Sequence, residues 1–134
     1  YAVMEGVAFL NRIVLNRAEA ATGTAVRDIR FGGGGAANPI WCQIKADVLG
    51  RPVSVVETPE VGLLGAAIIA QTATGRYPTL AAAQEALVRL RKTYLPDATR
   101  SADYARLFAL YREAEQAVAP ISARLADWQG NRIP

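Results

Sequence analysis

The apolar residues of this chain recur at helical spacing over most of its length. Near the start they lie three or four positions apart, at Val3, Val7, Leu10 and Val14. This spacing places them on one face of a helix, and Gly23 stands where a C-cap glycine is expected. The pattern therefore predicts a first helix over residues 1–21.

Two short stretches interrupt the helical pattern and predict strands. Residues 28–31 form one of them and lead into four consecutive glycines, and the β-branched stretch 53–57 forms the other. Between them, Asn38 and Pro39 supply an N-cap and a proline at the first helical position, so we expect a helix from there to Gly50. A helix that crosses between two strands of one sheet makes those strands parallel.

A similar pair of residues opens the second half of the chain. Thr58 and Pro59 repeat the cap-and-proline arrangement and predict a helix over residues 60–74. Gly62 and Gly65 lie inside this helix, where glycine is unfavourable by up to about 1 kcal/mol relative to alanine. Their presence indicates a position where another backbone packs closely.

Two more helices complete the pattern. Thr79 caps an amphipathic stretch that extends to Leu90, and a final helix is expected over residues 102–128 with a bend near Pro120. The predicted fold class is α/β, in the order α-β-α-β-α-α-α. Because a parallel sheet normally has more than two strands and is covered on both faces, we expect an incomplete parallel sheet.

Composition narrows the possible functions. The chain has 134 residues, 51% of them hydrophobic and 20% charged, as in one globular domain or part of one. It has no histidine, which excludes serine–histidine triads and histidine-based zinc sites. Its one cysteine, Cys42, is expected to be a buried structural thiol in a reducing, cytoplasmic setting. The first helix has no start signal, so we expect a segment of a longer chain.

Charge and hydropathy exclude two kinds of partner. The net charge is only +3 and the cations are scattered, so no nucleic-acid surface is expected. No apolar run approaches the roughly 20 residues that span a bilayer, so no membrane partner is expected.

The glycine run, residues 32–35, lies between a predicted strand and a capped helix. Glycines let a ligand approach the backbone closely, and the free N–H groups of a helix start attract phosphate. The P-loop pattern fails because no lysine lies in or just after the run. This position therefore indicates a nucleotide site of another kind.

Two alternatives remain open from the residues alone. Gly32, Gly34 and Ala37 match the dinucleotide pattern Gly-x-Gly-x-x-Gly/Ala, and Glu57 follows the next strand, as in an NAD-binding Rossmann-type oxidoreductase. Pro39 weighs against that alternative, because the helix of that fold would already be under way at this position. The helical second half of the chain also fits a non-enzymatic interaction module.

The segment 31–53 carries the most specific pattern: Phe-Gly-Gly-Gly-Gly-Ala-Ala-Asn-Pro-Ile-Trp, then Gln-Ile, then Ala-Asp-Val-Leu-Gly-Arg-Pro-Val. It resembles the C-terminal domain of FGGY carbohydrate kinases, especially the xylulokinase-like branch, and the likeness extends through residues 60–67 and 75–78. The resemblance implies part of an actin-like ATPase domain of the ribonuclease H-like type. Residues 1–134 would be the C-terminal portion of the kinase's C-terminal domain, without the N-terminal domain or the start of the C-terminal one.

The resemblance also implies ATP-dependent phosphorylation of a sugar or polyol hydroxyl. Gly34, Gly35 and Ala36 would line the adenosine and α-phosphate side of the ATP site, and Gly33 would set the turn. Asn38 is a further candidate for nucleotide contact, although its N-cap role is sufficient explanation for it.

No catalytic or metal-binding residue is expected in this chain. By resemblance, the catalytic aspartate, the acid associated with Mg²⁺ and the sugar-binding residues lie upstream, so Asp47 and Glu57 are not general bases. Asp47 is expected on the helix surface or in a packing network, and Trp41 in the core. The chain alone is expected to be inactive, and to form a homo-oligomer or depend on the rest of the kinase. D-xylulose is the first substrate candidate, and L-ribulose, glycerol and other polyols remain open.

Overall fold

The computed structural model describes residues 1–130, and this range contains five helices and a three-stranded sheet. The elements are α1 (Ala2–Thr22), β1 (Ile29–Phe31), a 3-10 turn (Gly34–Ala37), α2 (Pro39–Leu49), β2 (Val53–Val56), α3 (Val61–Ala73), α4 (Leu80–Leu87), β3 (Leu90–Tyr94) and α5 (Ala98–Gly130). The central strand β2 pairs in parallel with β1, as predicted. None of the helices in this range combines the length and hydropathy of a membrane span.

The third strand corrects the prediction for residues 88–94. Helix α4 ends at Leu87 rather than Leu90, and β3 pairs antiparallel with β2, with Tyr94 opposite Val53. The sheet is therefore mixed, not parallel, and a strand follows α4 in the element order. Pairing with β3 satisfies backbone groups on the second edge of β2, a non-local demand that the helical spacing of residues 80–90 does not reveal.

The predicted boundaries of the first two helices are confirmed. Gly23 and Gly50 end α1 and α2 in the left-handed conformation, with φ of 64° and 63°. At the start of α2, Oδ1 of Asn38 accepts hydrogen bonds from the backbone N–H of Ile40 (3.0 Å) and of Trp41 (3.3 Å). Local cap signals thus set both ends of α2.

Helix α3 lies within one residue of its predicted bounds, but its predicted cap, Thr58, is wrong. The helix begins at Val61 with Glu60 in the N-cap position, and Thr58 Oγ1 accepts only the N–H of Glu60, at 3.3 Å. The expected close packing is also not observed, because a Cβ built on Gly62 or Gly65 would meet no atom within 4 Å in the structure. Helix α5 begins at Ala98, four residues before the prediction, and the bend near Pro120 stays a prediction.

Helix α2 is buried on two faces, which makes it the centre of the fold. Toward the sheet, Cys42 and Ala46 pack with Val53, Val55 and Tyr94. On its other face, Ile44 and Val48 pack with residues of α1, among them Phe9. The Phe9 ring in turn contacts three rings of α5, with centroid distances between 5.1 and 6.1 Å, from Tyr104, Phe108 and Tyr111.

Asp47 ties α2 to the beginning of α5. Its carboxylate is only 2% exposed, and Oδ1 accepts from Gln43 Nε2 (2.9 Å) and from the backbone N–H of Asp97 (2.8 Å). Oδ2 pairs with Nε of Arg100 at 2.8 Å. The interpretation of Asp47 as a packing-network residue is confirmed, since these partners occupy both carboxylate oxygens.

We expect Asp47→Asn to lower the free energy of unfolding by about 2 kcal/mol, because hydrogen bonds to a charged group contribute about 1.5–3 kcal/mol. Urea unfolding followed by circular dichroism measures the loss. Asp103→Asn is the matched control, since Asp103 pairs only with Arg106 on the surface and should change stability by less than about 0.5 kcal/mol. Equal losses in the two variants would contradict the assigned role of Asp47.

Candidate functional site

The glycine loop, residues 32–37, joins β1 to α2 by a sharp turn. Gly33 has φ 88°, a backbone conformation that L side chains rarely adopt. The 3-10 turn that follows is closed by hydrogen bonds from Ala36 N–H to the Gly33 carbonyl (3.0 Å) and from Asn38 N–H to the Gly35 carbonyl (3.2 Å). The predicted turn at Gly33 is therefore present.

The four glycines of this loop differ in what a side chain would meet at each position. A Cβ on Gly32 would overlap Cγ1 of Val61 at the start of α3, and a Cβ on Gly35 would lie 2.6 Å from Cζ3 of Trp41. Gly33 is required by its positive φ. Gly34 differs from the other three, because its φ is not positive and nothing in the structure lies within 4 Å of its Cβ position. Neither folding nor packing explains the missing side chain at Gly34.

The underside of the loop is filled by aromatic rings. Trp41 and Phe31 pack edge to face with centroids 6.0 Å apart, and Lys45 Nζ lies 4.7 Å from the centroid of the Phe31 ring. Burial lowers the pKa of Lys45 from its ordinary value. Trp41 thus packs under the loop, in agreement with its predicted packing role, and the loop rests on a filled layer.

The start of α2 is less open to an anion than the sequence suggests. Since Asn38 Oδ1 occupies the N–H groups of Ile40 and Trp41, these two amides are not free for a phosphate. A 3-10 turn leaves the amides of its first residues without partners inside the turn. The amides of Gly34 and Gly35 are therefore the better donors for a ligand.

The Ala36 carbonyl ties the end of the loop to two other elements. It accepts a hydrogen bond from Arg91 Nη2 in β3 (3.0 Å) and one from Cys42 Sγ in α2 (3.5 Å). Burial raises the pKa of the Cys42 thiol, which agrees with its predicted structural role. Sequence reasoning missed Arg91 because it predicted a helix up to Leu90 and no strand after it; the strand-favouring Thr93 and Tyr94 nearby were the available signal.

A small cavity of about 160 Å³ opens beside the loop. Two of the predicted site residues, Gly33 and Ala36, line it, whereas Gly34, Gly35 and Asn38 do not. The remaining lining residues come from the loop end, β2, the β2–α3 connection and β3: Ala37, Val55, Val56, Glu57, Pro59 and Arg91.

Glu57 is a lining residue shared by this cavity and a larger one. It also lines a space of about 530 Å³ between the β2–α3 connection and α4, together with Thr58, Glu60, Leu63, Leu64, Ala67, Leu87 and Arg89. The two cavities thus share Glu57, one beside the glycine loop and the other toward α3 and α4. Within residues 1–130, no three acidic, cysteine or histidine side chains lie together as a metal site would require.

Comparison with known proteins decides the family. Residues 1–74, more than half of the chain, match the model of the FGGY family of carbohydrate kinases, C-terminal domain. The chain belongs to this family. The oxidoreductase and interaction-module alternatives are thereby set aside, and the glycine loop lies within the matched segment.

The named relatives of this chain are kinases. It is 33% identical over 126 residues to the L-xylulose/3-keto-L-gulonate kinase of Escherichia coli K12, covering 94% of this chain and 25% of the relative. It is 36% identical over 103 residues to the autoinducer-2 kinase of Yersinia pestis strain Pestoides F, covering 77% and 19%. The FGGY chain therefore spans a quarter or less of the length of these relatives.

The likeness extends to solved structures. The xylulose kinase of Rhodospirillum rubrum superposes with a TM-score of 0.73 at 28% identity, covering 90% of this chain and 24% of that one. The predicted recognition of the family and the actin-like ATPase fold are confirmed, with the mixed sheet as the correction to the predicted topology.

We expect Gly35→Ala to destabilise the fold by about 2 kcal/mol, because the new methyl group overlaps the Trp41 ring and overpacking typically costs about 1–3 kcal/mol. Gly6→Ala is the matched control, since its Cβ position in α1 is empty and alanine is favoured there by up to about 1 kcal/mol. Thermal unfolding of both variants provides the measurement. A Gly35→Ala protein as stable as the wild type would show that the Trp41 contact does not constrain the loop.

Proposed function

We propose that this chain forms one wall of the ATP site of an FGGY carbohydrate kinase that phosphorylates a hydroxyl of a sugar or polyol. The observation that carries the proposal is the 3-10 turn, because the amides of Gly34 and Gly35 have no partner inside it and no atom lies within 4 Å of the Gly34 Cβ position. Family membership supplies the chemistry, and the cavity beside the loop supplies space for part of a ligand.

The proposed contacts follow the geometry of the loop. The amides of Gly34 and Gly35 are the donors for the α-phosphate, and the backbone of Gly33 and Ala36 borders the adenosine side. Asn38 acts mainly through its cap, which fixes the direction of α2 beneath the loop. This arrangement suits a phosphate because the donors are held in place by the fold and need no rearrangement on binding.

The chemistry itself is proposed to lie in parts of the enzyme beyond this chain. Phosphoryl transfer depends mainly on positioning and charge stabilisation, with Mg²⁺ neutralising the phosphate oxygens. Glu57 is a single acid at the loop cavity, and the described residues do not assemble a magnesium site around it. We therefore assign the catalytic aspartate, the Mg²⁺ ligands and the sugar contacts to the remainder of the kinase, and residues 1–134 to the C-terminal portion of its C-terminal domain, residues 131–134 lying outside the described range.

Exposed apolar surface supports a dependence on that remainder or on another copy of the chain. In the described range β1 pairs with β2 alone, which leaves one strand edge open. Large apolar side chains are exposed on α3 and along the second half of α5, among them Leu63 (70%), Ile69 (63%) and Leu125 (57%). Such surface is normally covered in a stable protein.

For the substrate we propose a ketose, with D-xylulose as the first candidate. The named relatives support this choice, since a xylulose kinase and an L-xylulose/3-keto-L-gulonate kinase are among them. L-ribulose, glycerol and other polyols are the comparison substrates for an assay of the complete enzyme.

Nucleotide preference tests the proposal directly. We expect ADP and ATP to raise the melting temperature of the complete kinase and NAD to leave it unchanged, because only a ligand that binds the native state stabilises it. Stabilisation by NAD, or by no nucleotide, would contradict the proposed ATP site.

A substitution at Gly34 tests the site itself. We expect Gly34→Val to fold with a melting temperature close to that of the wild type, since no protein atom lies within 4 Å of the Gly34 Cβ position. We expect it to bind ADP roughly tenfold more weakly, because the side chain occupies the ligand's approach. Gly62→Val is a control that also places valine in open space, but on α3. Calorimetric titration with ADP gives the affinities, and unchanged ADP binding by Gly34→Val would exclude the loop as the nucleotide wall.

The chain by itself is expected to lack activity. Purified residues 1–134, verified by mass spectrometry, should not transfer phosphate from ATP to D-xylulose in a coupled assay, because the groups that activate the hydroxyl are assigned elsewhere. The complete kinase at the same molar concentration is the positive control. Turnover by the isolated chain would overturn this division of roles.

A further inference from the structure

Arg91 is the member of β3 that reaches across the sheet to the glycine loop. The residues of β3 from Leu90 to Thr93 are exposed, as expected of an edge strand. The Arg91 guanidinium nevertheless donates to the Ala36 carbonyl at 3.0 Å, across 55 positions of sequence. An edge strand thereby contributes a hydrogen bond to the turn.

This hydrogen bond restrains the backbone of the turn at Ala36. The Ala36 carbonyl ends the segment that begins at Gly33, and it is held from two sides, by Arg91 of β3 and by the Cys42 thiol of α2. A thiol is a weak donor, whereas a guanidinium donates a charge-assisted hydrogen bond. Arg91 therefore supplies the stronger of these two restraints on the loop.

The neighbouring cation, Lys92, has a different environment. The register of β2 and β3 shifts between the pairs Val55–Lys92 and Val56–Leu90, so Arg91 has no paired residue on β2, whereas Lys92 does. Lys92 Nζ lies 4.5 Å from the centroid of the Tyr94 ring, and Lys92 does not line the loop cavity, whereas Arg91 does. The two residues thus carry the same charge at adjacent positions, and Arg91 is the one that contacts the glycine loop.

We propose that Arg91 is a positioning residue of the nucleotide site, which holds the glycine loop in its binding conformation through the Ala36 carbonyl. This inference rests on the proposed function, because it concerns the affinity of the same site for adenine nucleotides. Because Arg91 acts on the loop backbone, its loss weakens the binding of every ligand that contacts the loop, whether or not that ligand carries phosphate. The sugar site is unaffected.

The test compares Arg91→Met with Lys92→Met in the complete kinase. We expect Arg91→Met to weaken the binding of ADP and of adenosine by the same factor, roughly tenfold. The KM for ATP should rise, while the KM for the sugar stays within about twofold of the wild-type value. Amide hydrogen exchange in residues 33–38 should become faster without any ligand present. Lys92→Met should match the wild type in all these measurements, and Arg91→Lys, which retains one donor, should recover part of the affinity.

The outcomes separate this inference from the proposal on which it rests. ADP affinity and loop exchange that are unchanged in Arg91→Met overturn the role of Arg91 and leave the ATP site standing. Loss of ADP affinity with unchanged adenosine affinity also overturns it, because that result describes a direct phosphate contact. A wild-type kinase that binds no adenine nucleotide overturns both. If Arg91→Met does not fold, Arg91→Lys carries the same comparison.

Discussion

The contact between the Trp41 ring and the side-chain-free backbone at Gly35 is the constraint on which the site depends. Helix α2 is fixed by packing on two faces, against the sheet and against α1 and α5, and this fixes the backbone position of Trp41 beneath the loop. The loop consequently lies directly on the ring and is bounded on its other side by Val61 of α3. Its conformation is set by the close-packed interior, where small volume changes are unfavourable.

The elements that the sequence predicts correctly are those with local signals. Asn38 with Pro39 and the glycines at 23 and 50 determine helix ends through caps that involve only neighbouring residues. Strand β3 could not be found from such caps, because β2 supplies its hydrogen-bond partners and most of its side chains are exposed. Thr58 and Pro59 show the opposite error, since a cap-and-proline pair can also lie in a turn that precedes a helix without capping it.

The sequence predicts which segment forms the candidate site, but not the structural role of each residue in it. A run of four glycines gives one signal for several physical causes, and coordinates are needed to assign Gly32 and Gly35 to packing and Gly33 to backbone conformation. The same holds for Asn38, whose cap occupies the amides that would otherwise face an anion. Local signals could have indicated the strand that carries Arg91, but not its contact with Ala36, which exists only once β3 has joined the sheet.

These assignments imply that different residues of one short loop determine the stability of the fold and the binding of a ligand. Residues that pack the loop are covered by the fold, so substitutions there act on the native state before any ligand is present. Gly34 is free of such contacts, so a change there can act on a ligand while the fold remains intact. A site built in this way presents donors that are already oriented, which reduces the ordering that binding would otherwise require. In the proposed kinase, a nucleotide-binding wall held rigid by its own core can close against the catalytic groups as a unit. Separate parts of the enzyme then determine the affinity for the nucleotide and the affinity for the sugar.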